Sequence, residues 1–253
     1  MLYRNPQLDT QQKEPENILA IREQLKEDKY NADLWMELGL ALAKERMMYE
    51  SVEAYSRAIS IDPFKGIYYR HRAHRHLSCW EIEEALADFV TASRLIPENW
   101  DVWYHLALSY YLLGDLEKAE WAYRACYEVT NSDDKLIAVT NWYWATCMRL
   151  GKTEKAAELL THIRADMDPG EDGPCYLNML LVYKGEMTPE EAEAADDEDI
   201  YKVTVGYGMA NYYYSRGEMD KFKAQLDKIM EIGQKDWRSA FGYLATRVDL
   251  GIL

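Results

Sequence analysis

The run Arg70-His71-Arg72-Ala73-His74-Arg75-His76 places three imidazoles and three guanidiniums within seven residues, in a chain whose formal net charge is −15. Imidazole ligates metals and moves protons near neutral pH. Guanidinium grips carboxylates through a planar fork. Metal chemistry would draw on His71, His74 and His105, with Asp101 the nearest oxygen donor. Zinc needs three or four converging ligands, and these residues lack any metal-motif spacing, so neither a metal nor a cofactor is expected. Anion recognition would draw on Arg70 and His74, four residues apart and so on one helix face. A packing role stands beside it: Arg72 lays its stem over the core with its head toward Glu83 or Glu84, and His76 packs as a ring. No Gly-rich phosphate loop, Gly-x-Ser-x-Gly or His-Glu-x-x-His occurs, and no nucleophile is paired with a base. The expected protein is not an enzyme, and no catalytic residue is named.

The elements that carry this run repeat. Trp35-x-x-Leu38-Gly39-x-x-Leu42 returns after 34 residues as Tyr69-x-x-Arg72-Ala73-x-x-His76, and again as Trp103-x-x-Leu106-Ala107-x-x-Tyr110. Each copy is followed at constant offset by a second set: Ser51/Tyr55/Ala58/Pro63, Ala85/Phe89/Ala92/Pro97 and Ala119/Tyr123/Cys126/Asn131. Large and small residues alternating at a fixed period mean stacked helical hairpins, in which a small residue on one helix admits a large one from its neighbour. The proline after the second helix ends it.

The pattern resembles the tetratricopeptide repeat family, in register at eight positions over 32–131 and more loosely beyond. The resemblance implies an all-α, right-handed α-solenoid of antiparallel helix hairpins. It also implies a concave groove that holds a peptide or a partner helix. Carried over position by position, the groove takes Asp33, Met36, Leu40 and Ala43 from repeat one, and Ile67, Arg70, His71, His74 and Leu77 from repeat two. Repeat three supplies Asp101, Tyr104, His105, Leu108 and Tyr111; repeat four supplies Ala138, Asn141, Trp142, Ala145 and Met148. The expected contact residues are Arg70, His74, Tyr104, His105, Leu108, Tyr111, Asn141 and Trp142. One subset of the family clamps the terminal carboxylate of chaperone peptides. Here Arg70, His74 and His105 keep donors, but Ala138 and Trp142 stand where cations are needed, so that clamp is not restored.

The acidic balance argues against nucleic acid, which needs a basic stripe, and against an anionic membrane surface. No apolar run reaches a membrane span, and the polar start lacks a signal h-region. Cys79, Cys126, Cys147 and Cys175 are scattered and read as reduced core thiols of a cytoplasmic protein.

Along the chain, 1–31 is a polar N-terminus plus a capping helix carrying Ile18, Ile21 and Leu25. Residues 32–133 are three regular repeats. Residues 134–253 hold degenerate repeats and a capping helix near 237–250, in one continuous solenoid. Gly114, Gly151, Gly185, Gly217 and Gly251 mark the ends of first helices, and an insertion near 131–133 shifts the phase. The fifth unit, 171–200, is interrupted by Pro169, Gly170, Gly173, Pro174 and Pro189. Residues 186–199 hold eight acids and no base, a solvated face or a dock for a basic partner. The expected function is a protein–protein interaction scaffold; the alternative is a peptide-responsive signalling regulator acting on an effector in another chain. Partner identity and oligomeric state are not legible.

Overall fold

In a computed structural model that describes Asn5, residues 14–170 and residues 174–253, those residues form fourteen helices and no strand. The polar stretch before the first helix lies outside the described residues apart from Asn5 and Glu14, as does Gly173. In order, the helices are α1 (Glu16–Glu27), α2 (Ala32–Lys44), α3 (Met48–Ile61), α4 (Gly66–Ser78), α5 (Ile82–Leu95), α6 (Trp100–Leu112) and α7 (Leu116–Glu128). They continue as α8 (Asp133–Arg149), α9 (Thr153–Leu160), α10 (Pro174–Lys184), α11 (Pro189–Glu193), α12 (Asp199–Ser215), α13 (Met219–Asp236) and α14 (Phe241–Asp249). The chain forms two compact units, up to Ser109 and from Tyr110 onward, dividing within α6.

In the first unit α1 packs on α2, α2 pairs with α3, α3 meets α4, and α4 pairs with α5. Ile18 and Leu25 of α1 share a core with Leu38, Leu42, Met47 and Ala54. Gly39 shows why the signature wants a small residue. A Cβ there would lie 2.5 Å from the Tyr55 ring, and the Gly39 carbonyl accepts a 2.7 Å hydrogen bond from Ser51 Oγ. Helix starts also recur. Asn31 Oδ1 accepts from the Leu34 N–H and, two periods later, Asn99 Oδ1 accepts from the Val102 N–H. These side chains satisfy donors that the helix leaves unpaired. The indole N–H of Trp35 donates to the Lys29 carbonyl, and that of Trp103 to the Pro97 carbonyl.

First helices end in a left-handed corner. The five glycines named above have φ of 67° to 77°. Arg46 and Trp80 take the same corner at φ 61° and 69° without being glycine, a conformation that costs an L-residue roughly 1–2 kcal/mol.

In the second unit α7 meets α8, α8 pairs with α9 and packs on α10 and α12, and α12 pairs with α13. The extra residues before α8 are absorbed by length: α8 has 17 residues, against 13 in each of α2 and α4. The fifth hairpin is reduced to α10 and the five-residue α11, which begins with a capping box between Thr188 and Glu191. The acids around it are tied locally: Glu193 to Gln225 and Lys228, Glu186 to Lys184, Asp197 to Lys202. The last helix is shorter than the sequence implies. Ala240 is extended (φ −66°, ψ 137°) and caps it, so α14 starts at Phe241 and packs on α12 and α13.

No helix among the described residues is long and apolar enough to cross a membrane. Cys79, Cys126 and Cys147 are buried, whereas Cys175 is only partly so.

Candidate partner-binding site

On α4 the periodicity of the helix sorts the cationic run into separate environments. Ala73 is fully buried against the core. Arg72 donates from Nε and Nη2 to the two carboxylate oxygens of Asp88, each at 2.7 Å, and from Nη1 to Ser56 Oγ. Its acid is therefore Asp88 rather than Glu83 or Glu84. Asp88 lies on the buried side of α5, where Arg72 already points, while the glutamates stand in the exposed first turn. His76 Nδ1 lies 2.7 Å from Glu81 Oε2, so Arg72 and His76 both meet acids of their own hairpin, and Arg72 also reaches α3 through Ser56.

Arg70 pairs with Asp101 and also reaches His71 Nδ1 at 3.0 Å. His71 stacks on Tyr55 with centroids 5.5 Å apart. Burial, then the charges of Arg70 and Arg75, push the His71 pKa down to about 4. His74 meets His105 edge-on. Burial, then His105 and Arg75, hold His74 well below the usual range. Burial would raise Asp101, but His105 and Arg70 beside it outweigh this and keep it ionised. The His105 Nδ1–H donates to the Asp101 carbonyl at 2.9 Å. Among the described residues, no three His, Cys, Asp or Glu side chains converge as a metal site.

Arg75 differs from its two neighbours. Its guanidinium reaches His74 Nδ1 and, at 3.9 Å, the Met48 sulfur. No carboxylate of the described residues lies within 4.0 Å of it. Burial, then the charge of Arg70, lower its pKa despite the nearby Tyr55 ring. Among the described residues, three arginines on α4 thus pair with two acids, leaving the half-buried Arg75 without an ion pair of its own, although Asp101 still acts on it at longer range. An arrangement of this kind is costly unless an acid arrives from elsewhere.

Of the eight residues expected to line the groove, five lie in the first unit and three in the second. Arg70 and His74 are half-buried on α4. Tyr104, His105 and Leu108 are 5%, 5% and 0% exposed, with Tyr104 stacked on Trp100. Tyr111, Asn141 and Trp142 are buried in the second unit. Of the apolar positions expected beside them, Leu40 is 42% exposed.

In the second unit the inner side of α8 is occupied by a polar cluster that the sequence did not announce. Arg149 holds Asp249 of α14 through Nη1 and Nη2, both at 2.7 Å. It also donates to Asn211 Oδ1 and Tyr207 Oη of α12. The guanidinium carbon sits 5.3, 6.0 and 5.0 Å from the ring centroids of Tyr111, Tyr207 and Tyr214, a cation–π enclosure. Tyr111 and Tyr207 share a 2.9 Å hydroxyl contact, and burial pushes the Tyr111 phenol up to about 12. The signal for Arg149 was available, because it falls on the next groove position after Met148 in the fourth repeat. Nothing in spacing announced Asp249. On the same helix, Thr140 Oγ1, Asn141 Oδ1 and Trp142 Nε1 are buried and meet no hydrogen-bond partner among the described residues.

Comparison with known proteins agrees with the helical-repeat fold. Two stretches match the tetratricopeptide repeat family, residues 32–65 and 81–133. A curated relative, protein bimA of Emericella nidulans, is 22% identical over 110 residues, 44% of this chain and 14% of bimA. The chain therefore spans only a small part of that relative. A tetratricopeptide repeat protein from Parabacteroides merdae superposes with a TM-score of 0.59 at 17% identity, covering 90% of both chains. YrrB, a tetratricopeptide protein with an unusual peptide-binding site, gives 0.53 at 16% identity, covering 91% of this chain and 98% of its own. At such identities the likeness is one of fold. The residue signature, the hairpins and the two matched stretches together show that this chain carries tetratricopeptide repeats over residues 32–65 and 81–133.

Proposed function

We propose that the protein is a non-enzymatic interaction scaffold of the cytoplasm, and that a partner's acidic segment docks along α4, anchored by Arg75. The observation that supports this reading is that, among the described residues, Arg70 and Arg72 pair with carboxylates and Arg75 does not. Arg70 and His74 flank the docked segment. The exposed Leu40 of α2 offers apolar contact beside it, as in other peptide-recognition surfaces that pair a charge with an aliphatic patch. The deeper residues of the expected set, Tyr104, His105 and Leu108, shape the wall without meeting the partner. YrrB's peptide-binding site supports the peptide reading by analogy of fold alone.

The test is quantitative capture from source cytosol at 50 and 500 mM salt. Wild type is compared with Arg75→Glu and with Arg57→Glu, a control at an exposed arginine of α3 paired to Glu53. The expected partner is lost with Arg75→Glu, retained with Arg57→Glu, and weakened at high salt. Identical partner lists from all three proteins would remove α4 as the docking face.

A further inference from the structure

Two aromatic rings stand in water at the tips of successive turns. Tyr30, between α1 and α2, is 73% exposed, and Phe64, between α3 and α4, is 82% exposed. They are 34 residues apart, one period, and so take the same place in the repeat. The fold does not require a ring there. One period on, Glu98 stands at that place, in a turn closed by the same bond: the Trp103 indole N–H meets the Pro97 carbonyl as that of Trp35 meets the Lys29 carbonyl. Both tips are held by their own turns. In the first, the Asn31 N–H and side-chain amide donate to the carbonyl and Oδ2 of Asp28, at 3.2 and 3.0 Å. In the second, the Phe64 N–H donates to Asp62 Oδ1 at 3.2 Å. One carboxylate straps the two turns together. Asp33 Oδ1, three residues after Tyr30, accepts from Lys65 Nζ and from Tyr68 Oη, both at 2.6 Å. The two rings therefore lie on one edge of the first unit.

Each ring follows an aspartate by two residues, as Asp28-Lys29-Tyr30 and Asp62-Pro63-Phe64. Each aspartate commits one oxygen to its own turn. Among the described residues neither forms an ion pair, Lys65 being given to Asp33. The edge thus offers two exposed π-faces, each with a carboxylate beside it, divided by charged side chains and not joined into one apolar patch. A guanidinium suits both parts at once, because it stacks on a ring and forks to a carboxylate. Lys29 Nζ lies 5.0 Å from the centre of the Tyr30 ring, so that face is already open to a cation. A second copy of the chain is disfavoured by the charge of −15 on each, and an anionic lipid surface by the same acids. We propose that the turns at Tyr30 and Phe64 form a docking edge for an arginine-bearing segment of a partner protein, each ring with its aspartate receiving one guanidinium. The edge does not involve Arg75 and stands if docking along α4 fails.

Fluorescence anisotropy on the full chain tests this with two labelled peptides of equal charge, four repeats of Arg-Gly-Gly and four of Lys-Gly-Gly, at physiological salt. The lysine peptide reports attraction to the net charge. The arginine peptide is expected to bind wild type about 5-fold tighter. Tyr30→Gln/Phe64→Gln replaces the rings by the neutral counterpart of Glu98 and keeps the net charge; it should bring the two peptides within about 2-fold of each other. Asp28→Asn/Asp62→Asn keeps the acceptors of both turns and should also lose most of the preference. Melting curves check that each variant is folded, and the second pair serves where the first is not. Equal affinity of the two peptides for wild type, no binding of the arginine peptide, or an arginine preference that survives both pairs of substitutions overturns the proposal. Tighter binding of a third peptide, four repeats of Leu-Gly-Gly, would overturn it in favour of an apolar segment. Sedimentation showing a wild-type dimer that Tyr30→Gln/Phe64→Gln makes monomeric would overturn it in favour of a second copy.

Discussion

Arg72 and Asp88 form a two-pronged pair across α4 and α5, with both bonds at 2.7 Å and the Asp88 side chain 8% exposed. Arg72 stands where the repeat elsewhere carries leucine, so the array has exchanged an apolar contact for an ion pair. Arg72→Leu alone strands a buried carboxylate and should cost about 3–5 kcal/mol. Arg72→Leu/Asp88→Ala should recover most of that loss. Urea unfolding of the two variants decides it; equal losses would show that packing, not the stranded charge, sets the cost.

Gly39 and Arg46 lie in one hairpin and should respond in opposite directions. The Cβ of Gly39→Ala would enter the Tyr55 ring, an overpacking worth about 1–3 kcal/mol of destabilisation. Arg46→Gly relieves a left-handed residue and should stabilise by about 1 kcal/mol. Thermal melts of each single variant report the signs, and a stabilised Gly39→Ala would disprove the close-approach explanation.

His71 gives the fold a pH dependence. Its pKa is pushed from 6.5 to about 4, chiefly by burial. Between those values the unfolded chain binds the proton and the native chain does not. Stability is therefore whole above pH 6.5 and falls as pH drops toward 4, by up to about 3 kcal/mol. His71→Phe keeps a ring against Tyr55 and removes this titration. Its urea midpoint should gain on wild type as pH goes from 7 to 4.5; a constant gap would refute the burial argument.

The cysteines should differ in reactivity. Burial, helped by the charge of Glu120, pushes the Cys147 thiol up to about 12, and the thiolate is the reacting form. At pH 8 iodoacetamide should label the partly exposed Cys175 at least about 100-fold faster than Cys147. Peptide mass spectrometry over time measures the two rates, and comparable labelling would count against a closed second unit.

The fold was legible because packing writes itself into residue size at fixed spacing: Gly39 beneath Tyr55 and Ala73 against the core carry the same instruction one period apart. The corners at Arg46 and Trp80 were harder, since their conformation recurs without the glycine that normally reports it. The binding face was least legible. Mapping by position put Tyr111 and Trp142 on a groove wall, but whether a wall is open depends on what other helices lay across it. Asp249, from a helix a hundred residues away in sequence, is invisible to a 34-residue period. The helix periodicity identified the cationic run on α4, yet only coordinates show which arginine has an acid.

Repeat arrays ordinarily unravel from their ends, each hairpin leaving its neighbour in turn. The bond from Arg149 to Asp249 joins residues 100 apart and so closes a long chain loop, whose closure entropy is lost once and not repeat by repeat. The terminal helix is thereby tied to the middle of the array. Hydrogen exchange in α14 should then follow that of α8 rather than run ahead of it, so that the second unit opens cooperatively and its end is no easier to fray than its interior.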